Sequence, residues 1–264
     1  MEGVLMSWTP ILLYHAVCGD PPEWIAPYTV SPETFAAHLD AVLASGRQPL
    51  TISQYVDCLR GAGKFPSTGA VLITIDDGFA DFAENALPAL VHRKVPSTLY
   101  VTTGAMADCR PESELPPARM LRAADLPGLE AERVEIGAHS HTHRQMDILP
   151  VREVKRELWL SGMLLSERLG HSIRSFAYPH GYWRRQTLHL VQEAGFDSAC
   201  AVGNSLSSAA DRMLTLPRLM VMAHMDTVTV AAWLKGSGPP VTSRSYRPSA
   251  FVWRQYRRAA SMLR

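Results

Sequence analysis

Cysteine is scarce in this 264-residue chain: there are four (Cys18, Cys58, Cys109 and Cys200) and no Cys-x-x-Cys pair. The scatter argues against a thiolate metal centre and against a secreted fold stapled by disulfides, so the four are read as reduced thiols. Long apolar runs are missing as well. Residues 11–14 are too short for a signal-peptide core or a membrane span, and no basic segment precedes them, so a cytoplasmic protein is expected. Lysine is sparse (Lys64, Lys94, Lys155 and Lys235), and outside the C-terminal tail the basic residues form no stripe interleaved with aromatics. This speaks against a nucleic-acid-binding domain. No internal repeat and no low-complexity segment is evident.

What is present suits one α/β domain. An apolar content of 47% over this length can bury a full core, and the length fits a single barrel better than two small units. The net charge of +1 is unevenly spread: residues 227–264 hold Lys235 and six arginines with no acid, which leaves −6 for residues 1–226. The body is acidic and the tail basic.

The run 11–14 reads as a buried first strand, and Ser31-Pro-Glu opens a helix showing Phe35, Leu39, Val42 and Leu43 on one face until Gly46. Further strands are expected at 71–75, 96–102, 135–138, 175–178, 198–202 and 219–222. Helices are expected at 81–93, where Pro88 must kink or divide the helix, at 151–169, closed by Gly170, and at 184–194, ended by Gly195. Residues 108–128 contain Pro111, Pro116, Pro117 and Pro127 and no clear period. They read as a loop excursion over a site, with a short helix at 118–124. Residues 236–248, rich in Gly, Ser and Pro, read as a linker, dividing the chain into a main unit over 1–236 and a linker with a terminal helix over 237–264. Strands alternating with helices predict a parallel sheet, and in α/β barrels chemistry gathers at the C-terminal strand ends.

Asp76, Asp77, His139 and Tyr178 each fall at such an end. The strand 71–75 runs into Thr74-Ile-Asp-Asp-Gly78, and about 60 residues later the chain reads His139-Ser-His-Thr-His143. A hydrolytic zinc or iron site needs about three N/O ligands, an open position for water and a base. Asp77, His139 and His143 can supply the ligands and Asp76 the base. Neighbouring strand residues point to opposite faces, so both carboxylates can serve one site only where the strand stops, a break that Gly78 permits. The competing reading of Asp-Asp-Gly is a plain turn. His139 and His143 share a face if one helical turn follows the strand, with Ser140 as its cap, whereas His141 is expected on an exposed loop.

The order of apolar strand, Thr-x-Asp-Asp-Gly, His-Ser-x-x-His and Phe176-Ala-Tyr-Pro-His-Gly181 resembles the polysaccharide deacetylase family of carbohydrate esterases (carbohydrate esterase family 4), over roughly residues 10–236. The resemblance implies a single-domain distorted (β/α) barrel and metal-dependent removal of acetyl from an N-acetylated sugar. One divalent ion is implied, zinc in the first instance, with iron, cobalt or nickel as alternatives. The family's third motif is usually Arg-x-Pro-Tyr-Gly, but here an alanine stands in the arginine position. The arginine steadies the base carboxylate in the family, so another cation is expected in that role, and Arg218 after Leu216-Pro217 is the candidate. The resemblance also implies that the Tyr178 backbone N–H serves the oxyanion. The leaving amine needs an acid: His15, in Leu-Tyr-His at the end of the first strand, is preferred over His224 in Met222-Ala-His224.

The tail admits two readings. Val252, Tyr256, Ala259 and Leu263 share one helical face opposite Arg254, Arg257 and Arg258. Such a helix either packs on the domain or rests on anionic lipid, the latter suiting a lipid-linked substrate. Besides sugar N-deacetylation, two function classes stay open from sequence: a deformylase or other amide hydrolase, since the core residues specify the reaction type and not the acyl group, and a catalytically silent binding module.

Overall fold

The structure is a computed structural model that describes residues 8–241 together with Gln255 and Arg257. Its frame follows from apolar strands buried on both faces, the pattern of a parallel sheet covered by helices. In β1 (Ile11–Tyr14) and β5 (Ala70–Ile75) every residue is buried. β1 pairs in parallel with β5 on one side and with β10 (Leu216–Met220) on the other. The ring continues through β9 (Ser198–Val202), β8 (Ser175–Ala177), β7 (Val134–Ala138) and β6 (Ser97–Val101) back to β5. The result is a closed barrel of seven parallel strands surrounded by helices. A further short strand, β4 (Gln48–Leu50), adds to β5 from outside, and β2 (Ala16–Val17) pairs with β3 (Thr29–Val30) above β1.

The long helices lie where hydrophobic period and caps put them. α1 (Pro32–Ala44) is capped by Ser31, whose Oγ accepts from the Thr34 N–H. Its inner face carries Phe35, His38, Leu39 and Val42; Leu43, expected inward, is 45% exposed, and His38 takes the buried place, with its Nδ1 3.2 Å from the Tyr14 hydroxyl. α5 (Val151–Leu169) ends at left-handed Gly170, and α6 (Arg185–Glu193) follows β8. Two short helices were not expected from sequence: α2 (Ile52–Leu59), opened by a Thr51/Gln54 capping box, and α7 (Thr227–Leu234), capped by Asp226.

One expectation holds and two shift. The helix before β6 is divided as Pro88 requires: a π turn over Phe82–Ala86 leads into α3 (Leu87–Arg93), and the Leu87 N–H reaches the Phe82 carbonyl five residues back. The helix expected at 118–124 is displaced to α4 (Leu126–Ala131), because Met120 bridges to Phe79 and Leu121 donates to the Gly78 carbonyl, which holds that stretch extended. β10 starts at Leu216 rather than 219. Its register on β1 (Leu12↔Leu219) puts Pro217 opposite Pro10, before that ladder begins, so the missing N–H leaves no bond unmade. Among the described residues no helix is long and apolar enough to cross a membrane. Most of the expected terminal helix lies outside the described residues.

Candidate metal centre and active site

The Asp76 N–H still donates to the Tyr14 carbonyl (3.0 Å), so the barrel ladder holds this residue. At Asp77 the backbone turns left-handed (φ 74°), and Gly78 follows at φ 87°. The strand thus breaks one residue earlier than expected, at an aspartate, one of the few side chains that tolerate this conformation. The break cancels the alternation of faces and brings both carboxylates to the mouth of the barrel, each 3% exposed.

His139 leaves β7 with its N–H on the Val101 carbonyl, and its Nδ1 lies 2.9 Å from the Ala177 carbonyl oxygen. That contact aims Nε2 inward, 3.5 Å from Asp77 Oδ1 and 3.7 Å from Asp76 Oδ2. His143 Nε2 lies 3.1 Å from the same Asp77 oxygen. One ligand atom from each of Asp77, His139 and His143 lies within 4.8 Å of the others. Asp77 Oδ1 is buried with the His143 and His139 imidazole nitrogens beside it and no other hydrogen-bond partner, an anion of the kind a cation would satisfy, and the N/N/O donor set suits zinc, iron or cobalt.

The loop between the two histidines is not the helical turn expected from spacing. Ser140 (φ 61°) and His143 (φ 64°) are both left-handed, and the Ser140 Oγ accepts from the His143 N–H at 3.0 Å. His141 is 7% exposed rather than displayed: its Nδ1 meets Thr103 Oγ1 at 2.8 Å, and its carbonyl accepts from the Gly104 N–H at 2.8 Å. A Cβ at Gly104 would stand 2.5 Å from that carbonyl oxygen, so this approach requires glycine. The excursion over 108–128 ties in here, with Glu112 bonded to His141 and the Glu114 N–H on the Thr142 carbonyl.

Asp76 is gripped by Arg218, whose Nη1 and Nη2 donate to Oδ1 and Oδ2 at 2.7 Å each. Arg218 is fully buried and also donates to Thr74 Oγ1 and the Ala201 carbonyl. It occupies the carboxylate-steadying place that Ala177 cannot fill. Burial by itself would raise the Asp76 pKa, but the charges of Arg218, His139 and His15 outweigh it and hold the carboxyl below its usual range. At Asp77 burial is likewise overcome, by His143, His15 and His139. Burial lowers His139 to about 4, against the pull of Asp76, so its ring is neutral at pH 7, the state that ligates metal.

The remaining expected residues divide. His15 stands just past β1, half-buried, its ring 5.5 Å from that of Tyr28 and its buried Nδ1 without a partner. His224 is on an exposed turn past β10. The Tyr178 N–H requires a correction: it donates to the Cys200 carbonyl at 3.0 Å, as the β8–β9 pairing demands, and is not free for an oxyanion. Sequence reading overlooked His180, two residues on. Left-handed at φ 58°, it sets its ring 4.8 Å from that of His143. Burial of its ring, and then the neighbouring His143 and His139, lower it to about 4, although the residue as a whole is exposed. Its proximity to the site depends on how the short 3-10 turn Pro179–Gly181 folds back, which spacing does not reveal. Arg257, expected on an outward polar face, is instead 9% exposed, donating to Asp147 at 2.9 and 2.7 Å and lying 3.7 Å from the centre of the Tyr182 ring.

The sequence profile of the polysaccharide deacetylase family matches residues 64–199, just over half of the chain and the span that carries the two aspartates, His139, His143 and the Tyr-Pro-His-Gly turn. The chain belongs to the polysaccharide deacetylase family. It is 23% identical over 226 residues to YxkH of Bacillus subtilis (strain 168), covering 86% of this chain and 76% of that one. It is 22% identical over 215 residues to a poly-β-1,6-N-acetyl-D-glucosamine N-deacetylase of Staphylococcus aureus (strain MSSA476), covering 78% and 72%. Its fold superimposes on Streptococcus pyogenes deacetylase PplD, solved in complex with acetate, with a TM-score of 0.76 at 23% identity, covering 88% of this chain and 99% of that one.

Proposed function

We propose that the protein is a metal-dependent hydrolase that removes the N-acetyl group from an N-acetylated amino sugar, releasing acetate and a free amine. The observation that carries this reading is the convergence of ligand atoms from Asp77, His139 and His143 within 4.8 Å of one another beside the Asp76–Arg218 pair. A divalent ion held by those three side chains supplies Lewis acidity, polarising the acetamide carbonyl and acidifying a water molecule. Asp76 takes the proton of the attacking water, and Arg218 keeps that carboxylate ionised and oriented. With the Tyr178 N–H committed, His180 is the nearer source of an oxyanion donor. His15 delivers the proton that lets the amine leave. Trp24 and Tyr28, partly exposed on the rim near Phe79 and His15, offer the apolar surface that the face of a pyranose ring covers.

Acetate release from N-acetylglucosamine oligomers, nucleotide-linked and lipid-linked N-acetyl sugars, each with added zinc, cobalt, iron or nickel, tests the reading. Metal-dependent acetate release with matching free amine is expected. Formate release from N-formyl analogues alone would move the protein to the deformylase class, and no release with any metal would overturn the proposal.

A further inference from the structure

α5 presents its inner face with Val154, Leu158, Ser161 and Leu165, and in the midst of this stripe stands a carboxylate, Glu157, only 2% exposed. It is not idle in the core. Glu157 Oε2 accepts from the His141 N–H at 2.9 Å and from the Thr142 N–H at 2.7 Å, and Oε1 accepts from Thr142 Oγ1 at 2.8 Å. Among the described residues it is the one charged side chain that receives hydrogen bonds from the 139–143 backbone.

That backbone is costly to hold. Two non-glycine residues, Ser140 and His143, sit at positive φ within four positions; each such residue costs on the order of 1–2 kcal/mol and persists only where its surroundings over-determine it. Two consecutive backbone N–H groups then point into the interior, where leaving either unpaired costs about 1–3 kcal/mol. One carboxylate answers both, and Thr142 Oγ1 locks its orientation. The loop's other anchors, Gly104 on the His141 carbonyl and Thr103 on the His141 ring, hold the far side. The conformation so fixed is the one that returns His143 to within 3.1 Å of Asp77 after His139 has left the strand.

We propose that Glu157 is a positioning residue of the metal centre: it clamps the His141–Thr142 backbone and thereby sets the separation of the His139 and His143 imidazoles to the span of one ion. The inference rests on the reading of Asp77, His139 and His143 as ligands. Glu135 provides an internal control for mere stability, since it uses the same device at the opposite end of β7. Its carboxylate accepts from the Ser53 N–H (3.0 Å), Ser53 Oγ (2.6 Å) and Thr98 Oγ1 (3.0 Å), away from the site.

The test uses full-length metal-free protein as wild type, Glu157→Gln, Glu157→Ala, Thr142→Val and Glu135→Gln. Cobalt(II) dissociation constants are measured by chelator competition, the visible absorption of bound cobalt is recorded, and thermal midpoints are taken without metal. Loss of an outer partner to a ligand-bearing loop typically weakens binding about 10- to 100-fold. That range is expected for both Glu157 variants, with an altered cobalt spectrum, and a smaller loss is expected for Thr142→Val. Glu135→Gln should lower the thermal midpoint and leave the dissociation constant and spectrum unchanged. If Glu157→Ala does not fold, Glu157→Gln and Thr142→Val decide the matter. Wild-type affinity in those two variants, or equal weakening in Glu135→Gln, overturns the positioning role alone. Wild type that takes up no cobalt overturns the metal-centre reading itself, and this inference with it.

Discussion

Arg218 of β10 reaches past β1 to Asp76 at the end of β5, and the two meet through two hydrogen bonds of 2.7 Å with Arg218 fully buried and Asp76 3% exposed. The pair neutralises what would otherwise be an isolated charge on either side. Removing one partner of such a buried pair typically costs about 3–5 kcal/mol. Arg218→Met should therefore destabilise by roughly that amount in denaturant unfolding. The double variant Asp76→Asn/Arg218→Met should recover part of the loss. Additive losses would show that the fork contributes no coupling.

The two aspartates should separate by role. Asp76→Asn is expected to keep metal and lose roughly 100- to 10,000-fold in kcat. His139→Ala should lose metal and activity together, read by metal analysis after gel filtration. An Asp76→Asn protein with near-normal turnover would remove Asp76 from the base role.

His15 and His224 follow the adjacent strands β1 and β10, but only His15 carries a buried, unpartnered ring nitrogen and a charge that acts on both aspartates. His15→Ala should reduce kcat by roughly 100-fold or more, whereas His224→Ala should stay within a few-fold of wild type. The reverse ranking would transfer the acid role to His224.

Asp81 gives a stability signature. Burial raises its carboxyl to about 6, despite the hydrogen bonds it receives from the Val17 and Phe82 N–H groups. A folded value above the unfolded one, about 3.9, means that stability is fully present below the unfolded value and is lost as pH rises through about 6. Asp81→Asn should therefore stabilise metal-free protein at pH 8 by about 1–2 kcal/mol and change little at pH 4. A constant difference across thermal melts at both pH values would contradict this.

Much of the barrel was readable before folding, since alternation of apolar strands with amphipathic helices depends on spacing along the chain. β1, β9 and α5 coincide with their expected bounds. The Asp76-Asp77-Gly78 and His139…His143 groups were likewise legible, because each is a short motif whose chemistry lies in residue types a few positions apart. What could not be read is whatever depends on register between distant strands or on a local reversal of backbone. His141 appeared exposed because nothing in its neighbours announces Thr103 and Gly104, and Tyr178 appeared to have a free N–H because its partner, Cys200, lies on the next strand.

Glu157 left a trace, a lone acid on an otherwise inward stripe, but its meaning required the loop that it caps. Local order and the identities of the side chains that could hold a metal were thus written in the linear chain, where steric preference and periodicity act over a few residues. Their arrangement around a common point was decided by tertiary packing: ring closure brings β10 within reach of β5, and the packing of helices and loops on the barrel sets α5 beneath the histidine loop, His180 onto His143 and Arg257 onto Asp147. Those contacts join positions far apart in sequence, and only burial in a shared core makes their charges and unpaired donors answerable to one another.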